Sequence, residues 1–342
     1  MDLSAEEAVR AAVAAAATVV PVGSGTHTEV GGPVPHGTPV RAPAGIVTYD
    51  PAELTVTAYA GTTVADLDGA LGAHGQECVL DPRDRRATIG GVLAVGLSGH
   101  RRLRQGPLRD RVLEVRFVTG DARLVRGGGP TVKNVTGFDL PRLLVGSFGT
   151  LGCLTRVILR CQPAPRATAW WRTDEDPAAV RAHLVAPSTI AWSDADGTAV
   201  LLEGDPDDIA AQARTAALEA GDAPRWPDGA HRGRVSVAPG RLRDVARALD
   251  DLEGVTWLGE WGVGTVHVAA DTEAGLGAAR AAATACDGWM LREAGAPGLD
   301  GFGITLPNAE VTARVKAAFD PAGKLSPGRL PIPHPGLQRE AS

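Results

Sequence analysis

Apolar and polar positions along this chain follow two rhythms, one for each half. The chain opens on an alanine-rich run in which Ser4 and Glu7 have capping-box spacing, and a helix is expected to about Ala17. Residues 19–22 read as a short buried strand that delivers the chain into Gly23-Ser24-Gly25-Thr26-His27-Thr28, with Gly31-Gly32 following. Alternation over 55–60 predicts a strand, and Thr63 caps a helix over 64–73 that Gly75 ends. Thr88-Ile89-Gly90-Gly91 reads as a glycine turn leading into the small, apolar stretch 92–98. A strand over 112–119 turns at Gly120-Asp121 into 122–126. Asp139 caps a helix over 140–145, with Pro141 tolerated in its first turn, and 154–160 is the closing strand.

The second half alternates short elements at 178–184, 199–203, 209–220, 234–237, 242–249 and 263–269. That mixture predicts an α+β module built on an antiparallel sheet. A last helix is expected over 309–319, ending in Asp320-Pro321-Ala322-Gly323 and Ser326-Pro327-Gly328-Arg329. All seven tryptophans lie at or beyond Trp170, and the shift coincides with the proline-marked junction Gln162-Pro163-Ala164-Pro165. The expected division is therefore a first domain over 1–163, a second over 164–305, and a terminal segment over 306–342 that returns to the first.

Composition narrows the classes of function. The 342 residues are 44% hydrophobic and 22% charged, ordinary values for a globular chain. A net charge of -6 provides no basic footprint for nucleic acid, and the Arg101-Arg102-Arg104 cluster is too local to supply one. Asp2, Glu6 and Glu7 have the wrong sign for a secretory leader. The apolar run over 11–20 has about half the length of a membrane span, so no transmembrane segment is expected and a cytoplasmic location follows. Cys78, Cys153, Cys161 and Cys286 form no CxxC pair, which argues against an iron–sulfur cluster or structural zinc; no metal is expected. A redox protein without a cluster of its own would have to pass its electrons to a substrate, to oxygen or to another subunit.

Chemistry concentrates in the glycine loops. Residues 131–160 pack Lys133-Asn134, a turn at Gly137, a short helix, a second turn at Gly146, Gly149 and Gly152, and a strand into thirty residues. Turns that expose main-chain N–H groups on both sides of a short helix suit a large anionic cofactor. Gly23-Ser24-Gly25 lacks the third glycine of the GxGxxG fingerprint and leads into Gly31-Gly32-Pro33 instead of a helix. It therefore fails the context expected of a nicotinamide-binding fold. Ser98-Gly99 adds a further turn beside a predicted element, and glycine lets a diphosphate or a flat ring press against main chain.

In their order, GSGTHTEVGG, ATIGGVLAVGLSGHRRLRQGPLRD, VKNVTGFDLPRLLVGSFGTLG and FDPAGKLSPGRL resemble the vanillyl-alcohol-oxidase-type (PCMH-type) FAD-binding flavoproteins. Within them the chain is most similar to the E-subunit family of bacterial glycolate oxidase, over residues 15–163 and 317–330. The resemblance implies an α+β protein: a PCMH-type FAD-binding domain of two α/β subdomains, plus a reduced α+β cap with an antiparallel sheet. It implies that Gly23, Ser24, Gly25, Thr26, His27 and Thr28 bind the FAD diphosphate. Thr88, Ile89, Gly90, Gly91, Ser98 and Gly99 would line the route to the isoalloxazine, with Gly106 and Asp110 in the turn behind it. Gly149, Thr150, Leu151, Gly152 and Thr155 match the turn along the adenine-ribose end, and Lys133, Asn134 and Gly137 belong to a run specific to the subgroup. Ser326 replaces an asparagine usually found beside the flavin, and Val22 an arginine. Thr26 stands where covalent relatives carry the flavin-linking histidine, so FAD is expected to be noncovalent.

Oxidation of a 2-hydroxy acid by a flavin needs a base for the hydroxyl proton and a cation for the carboxylate. His267, in EWGVGTVH near the end of a predicted strand, and His100, beside Ser98-Gly99, are the candidate bases. Arg102, with Arg101 and Arg104, is the candidate carboxylate clamp, and Lys133 a candidate partner for a reduced flavin. Each has a plainer reading, as a core histidine, a solvated cluster or a structural salt bridge. The implied function is a subunit of a glycolate-oxidase-like enzyme that oxidises a small 2-hydroxy acid. It would work beside a sister flavoprotein and hand electrons to a separate iron–sulfur subunit, peripheral to the membrane through those partners. A non-catalytic FAD-holding or assembly subunit, and a stand-alone oxidase using oxygen, remain open.

Overall fold

Two antiparallel sheets organise the chain, whose computed structural model describes residues 4–32, 34, 36–130, 138–193, 195–306 and 308–331. The first has five strands in the order Ile46–Asp50, Thr55–Tyr59, Cys153–Arg160, Val112–Val118, Leu124–Gly128. Period-two alternation puts Val56, Ala58, Val115, Phe117, Val157 and Leu159 on the buried side, where Leu67 and Leu71 of the helix Val64–Gly72 meet them. Thr63 caps that helix by accepting a hydrogen bond from the Asp66 N–H.

The stretch expected as a glycine turn at 88–91 instead begins a helix, Ile89–Val95. The Thr88 hydroxyl accepts from the Gly91 N–H, and Ile89, Val92 and Leu93 bury one helical stripe. Glycine in a first turn weakens a helix, but here it permits close approach. A Cβ on Gly90 would stand 2.9 Å from the Ala60 Cβ.

The chain's last described segment joins this half. The parallel pair Val19–Pro21 and Thr38–Val40 is extended by Leu325, with Val19 N–H donating to Lys324 O at 2.8 Å and Ser326 N–H to Val19 O at 2.8 Å. Lys316, on the helix Ala309–Phe319, buries its ammonium among Thr150 O at 2.6 Å, Asp320 Oδ2 at 2.5 Å and Leu325 O at 2.9 Å. One lysine thus ties the turn around Thr150 to the returning segment.

The second sheet has eight strands in the order Glu219–Ala220, Ala167–Thr173, Gly197–Gly204, Thr189–Ser193, Val255–Glu260, Thr265–Ala270, His231–Ser236, Trp289–Ala294. The helices Leu242–Asp250 and Glu273–Ala285 cover one part of it, and Pro177–Ala182 and Pro206–Thr215 another. The element expected over 209–220 divides: its helix ends at Thr215, Ala217 turns with φ of +50°, and Glu219–Ala220 pairs as an edge strand. No helix among the described residues is long and apolar enough to cross a membrane. All four cysteines are buried, unbridged thiols.

Candidate functional site: a glycine-walled trench and the charged cavity at its end

A loop, a helix start, a turn and one arginine form the trench. The loop 23–28 leaves the strand Val19–Pro21 and lies against the start of the helix Ile89–Val95; a Cβ on Gly23 would stand 2.1 Å from Thr88 Oγ1. The third wall is the turn 147–149, where Phe148 and Gly149 both adopt positive φ, +55° and +71°. Arg329, from the returning segment, donates to Gly32 O at 3.2 Å and to Thr28 O. Burial lowers its pKa from the ordinary arginine value. Val22, Val40, Ala42, Ala60 and Leu154 make the rest of the wall apolar.

The loop residues Ser24, Gly25, Thr26 and His27 also line a second cavity, of about 680 Å³. Its far wall is the second sheet. Arg232 and Arg234, two apart on one strand, face the same side, and Arg234 stands directly across from His267 on the next. Arg83, Trp226 and Glu293 complete the charged end.

Arg234 is 8% exposed; its side chain makes no hydrogen bond or ion pair with the described residues, and its Nε is buried without a partner. Burial lowers its pKa, Glu293 opposes this, and the charges of Arg102 and Arg83 add to the lowering. Arg83 Nη2 lies 2.8 Å from His267 Nδ1 and 3.8 Å from Glu293 Oε2, with its guanidinium carbon 4.2 Å above the Trp226 ring. On its other side His267 Nε2 faces the buried Glu260 Oε1 at 3.4 Å, and His100 Nδ1 faces the same oxygen at 3.6 Å. Both are close charge contacts without a formed hydrogen bond, and the Glu260 oxygens are buried without a hydrogen-bond donor. Burial disfavours the Glu260 carboxylate, but the two imidazoles outweigh it and hold its pKa below the ordinary range. Burial lowers the pKa of His267 despite Glu260, so the ring is neutral near pH 7. An arginine only donates, so Nδ1 of His267 accepts and the ring proton sits on Nε2, toward Glu260. Trp226 binds the cluster together, stacked on His100 at 3.9 Å and edge-on to His267 at 4.6 Å.

Of the residues expected at a cofactor, Gly23, Ser24, Gly25, Thr26, His27, Thr28, Thr88, Gly90, Gly91, Gly149 and Gly152 line the trench. Ser98 and Gly99 line the cavity. Others lie elsewhere. Ile89 and Leu151 are core residues, Thr150 is buried and donates to Ser147 O at 2.7 Å, and Thr155 is buried against Glu6 Oε1 at 3.0 Å. Gly106 ends a helical turn at the surface and Asp110 faces Arg142 at 3.4 Å, both away from the trench. Ser326 sits behind the trench turn, its Oγ 3.4 Å from where a Cβ on Gly149 would stand. Lys133, Asn134 and Gly137 fall outside the described residues.

The candidate bases His267 and His100 converge on one carboxylate; Arg102 does not line the cavity, and its charge acts on Arg234. Arg101 is held by Asp81 and Glu77 at 2.7 Å each and Glu203 at 3.2 Å, which leaves it a structural ion pair and not a clamp. The sequence reading missed Arg83, Arg234, Glu260, Glu293 and Trp226. A signal existed for one pair: Arg232 and Arg234 keep strand period within the strand His231–Ser236. No group of three or more His, Cys, Asp or Glu among the described residues is arranged to hold a metal ion.

Residues 4–128 match a family model described as an FAD binding domain. Glycolate oxidase subunit GlcE of Escherichia coli (strain K12) is 42% identical over 165 residues, 47% of this chain and 47% of that protein. A D-lactate dehydrogenase of Archaeoglobus fulgidus is 40% identical over 107 residues, 31% of this chain and 24% of that protein. Glycolate oxidase subunit GlcD of Bacillus subtilis (strain 168) is 36% identical over 121 residues, 35% and 26% respectively. The aligned stretches thus span about half, or a quarter, of these relatives. A solved structure of alkyldihydroxyacetonephosphate synthase superposes with a TM-score of 0.67 at 15% identity, covering 95% of this chain and 75% of that one. That likeness concerns the fold.

Proposed function

Residues 4–128 match the FAD binding domain model, and from that premise we propose that this chain is a flavoprotein subunit that oxidises a small 2-hydroxy acid. The trench fits the cofactor: glycine-rich main chain and Arg329 suit the diphosphate, and the apolar wall suits flat rings. The loop 23–28, Thr88, Gly90, Gly91, Gly149 and Gly152 would hold FAD without a covalent link. Bound FAD supplies the hydride acceptor.

The observation that carries the substrate class is Arg234. A buried guanidinium without a partner costs several kcal/mol unless an anion joins it, and it faces a cavity that shares a wall with the trench. A carboxylate answers that need with two parallel hydrogen bonds. His267 is placed across from it to take the hydroxyl proton, with His100 and Arg102 supporting the charge balance behind. In this reading 1–163 holds the cofactor, 164–305 supplies the substrate wall, and 306–342 returns to close the trench. The GlcE and GlcD names of the relatives favour a complex. In this reading the electrons pass to a separate iron–sulfur subunit, beside a sister flavoprotein.

Anaerobic titration of the purified yellow protein with glycolate and D-lactate tests this. Bleaching of the flavin absorbance is expected, and Arg234→Met should slow it about a hundredfold at the same substrate concentration. A chain that stays oxidised alone and when mixed with its partner subunits is a cofactor-holding subunit, and the proposal fails.

A further inference from the structure

The same cavity holds a device that the oxidation chemistry does not require. Nδ1 of His267 carries the lone pair of that ring, yet Arg83 Nη2 occupies it at 2.8 Å. A base covered in this way takes no proton. Arg83 is also poorly satisfied where it stands: burial opposes its charge, Glu293 lies 3.8 Å off, and Arg232 and Arg234 repel it.

We propose that Arg83 is a substrate-operated cap on His267. With the cavity empty it covers Nδ1; a small monocarboxylate entering against Arg234 draws Arg83 onto the anion and bares the nitrogen beside the substrate's hydroxyl. The proposal rests on the carboxylate reading of the cavity.

Three physical points support the exchange. A carboxylate offers a guanidinium an opposite charge and two parallel hydrogen bonds, where a neutral imidazole offers a single acceptor. An anion between Arg83 and Arg234 turns a repulsion into two attractions. Arg83 lies outside any helix or strand, so its long side chain changes partner without disturbing a sheet. Proton transfer then balances simply. The substrate O–H bond breaks, an Nδ1–H bond forms, and the imidazolium lies between Glu260 on the Nε2 side and the new carboxylate on the other. The remaining titratable groups facing His267 are Glu293 and, across Glu260, His100. A base that is bare only when an acid is bound also keeps Nδ1 from exchanging protons with water in an empty site.

The test reads the ring itself. In the flavin-loaded full chain labelled with ¹⁵N-histidine, His267 is assigned by its loss in His267→Gln. Acetate is the probe, because it carries the carboxylate but no oxidisable hydroxyl. In the wild type, acetate should shift the Nδ1 resonance toward that of an acceptor without a donor. In Arg83→Ala and Arg83→Gln the resonance should already lie there without acetate, and added acetate should move it by less than a third as much. Calorimetry should show acetate binding weakened at least tenfold in Arg234→Met. If acetate binds the wild type while the His267 resonance stays still, or if the Arg83 variants leave that resonance at its wild-type position, the cap is wrong and the carboxylate site survives. If acetate does not bind the wild type at all, the cap falls together with the reading beneath it.

Discussion

The trench and the cavity adjoin through four shared residues, 24–27, yet they are built from different materials. The trench is main chain: glycines, one threonine cap and a turn at positive φ bring backbone together, and few side chains carry its shape. The cavity is side chain: Arg83, Arg234, His267 and Trp226 come from strands and loops distant in sequence, with Glu260 behind His267, and all but Arg234 are held by another's charge or ring. A main-chain site depends on the conformations a few glycines permit. A side-chain site depends on register. The two therefore fail in different ways when changed, and the largest effect is expected where the trench leans on a side chain.

That point is Lys316, whose ammonium reaches Thr150 O, Leu325 O and Asp320. Lys316→Met leaves Asp320 ionised and buried without its countercharge, although the Lys324 and Leu325 N–H groups still donate to it. Breaking a buried pair from one side costs about 3–5 kcal/mol. Thermal unfolding should show a larger loss of stability than any substitution in the loop 23–28 or the cavity produces, with FAD released below the unfolding transition. An unchanged melting temperature would mean that the returning segment is not tied to the trench turn in this way.

Arg234→Met separates the cavity from the trench. Two hydrogen bonds to a carboxylate disappear, worth about 3 kcal/mol, or about a hundredfold in kcat/KM for the hydroxy acid. Stability should hold or rise, because the change removes a buried cation that lacks a partner. FAD content should not move. Loss of stability or of flavin would place Arg234 in the scaffold and end the distinction.

Gly23→Ala probes the trench on its own terms. The new methyl would stand 2.1 Å from Thr88 Oγ1, so the threonine must give up its cap on Gly91. The expected cost is about 1 kcal/mol of stability, together with roughly tenfold weaker FAD binding, a 1.4 kcal/mol effect, read by recovery of flavin fluorescence. Gly25→Ala is the control. Its φ is +88° with nothing within 4 Å, so only left-handed strain of about 1–2 kcal/mol applies. If both variants lose FAD equally, backbone strain governs the loop and not its contact with Thr88.

The same contrast explains what is legible in the sequence. The loop 23–28 and the turn at Gly149 and Gly152 can be read because glycine announces backbone geometry locally, and the helix over 309–319 because its apolar spacing is regular. The helix Ile89–Val95 reads as a turn because Gly90 and Gly91 are poor helix formers; tertiary contact with Ala60 overrides that preference. The helix Glu273–Ala285 escapes because Leu276 is its only large buried residue among alanines. Arg83 and Arg234 acquire meaning only once cross-strand register sets Arg234 against His267, and no local pattern encodes that pairing. Arg101 to Arg104 stand out by clustering, and for Arg101 the clustering reflects ion pairing with Asp81, Glu77 and Glu203.

The smallest expected effect is on acid stability, and it sets one histidine of the shared loop against one of the cavity. Burial lowers the pKa of both His27 and His267 from the ordinary value, near ~6.5. Below that value the unfolded chain takes up protons that the folded chain does not, so stability is whole above pH ~6.5 and declines as pH falls toward the folded pKa values. Glu260 adds a loss of the same sign at lower pH. Its folded pKa is depressed, so its contribution is complete above about 4.3 and disappears on further acidification. Melting temperatures measured from pH 7.5 to 4.5 should therefore fall in the wild type and flatten in part in His27→Gln and in His267→Gln. A profile that both variants leave as steep as the wild type would show that neither imidazole is neutral in the folded protein, and His267 could then not serve as the base.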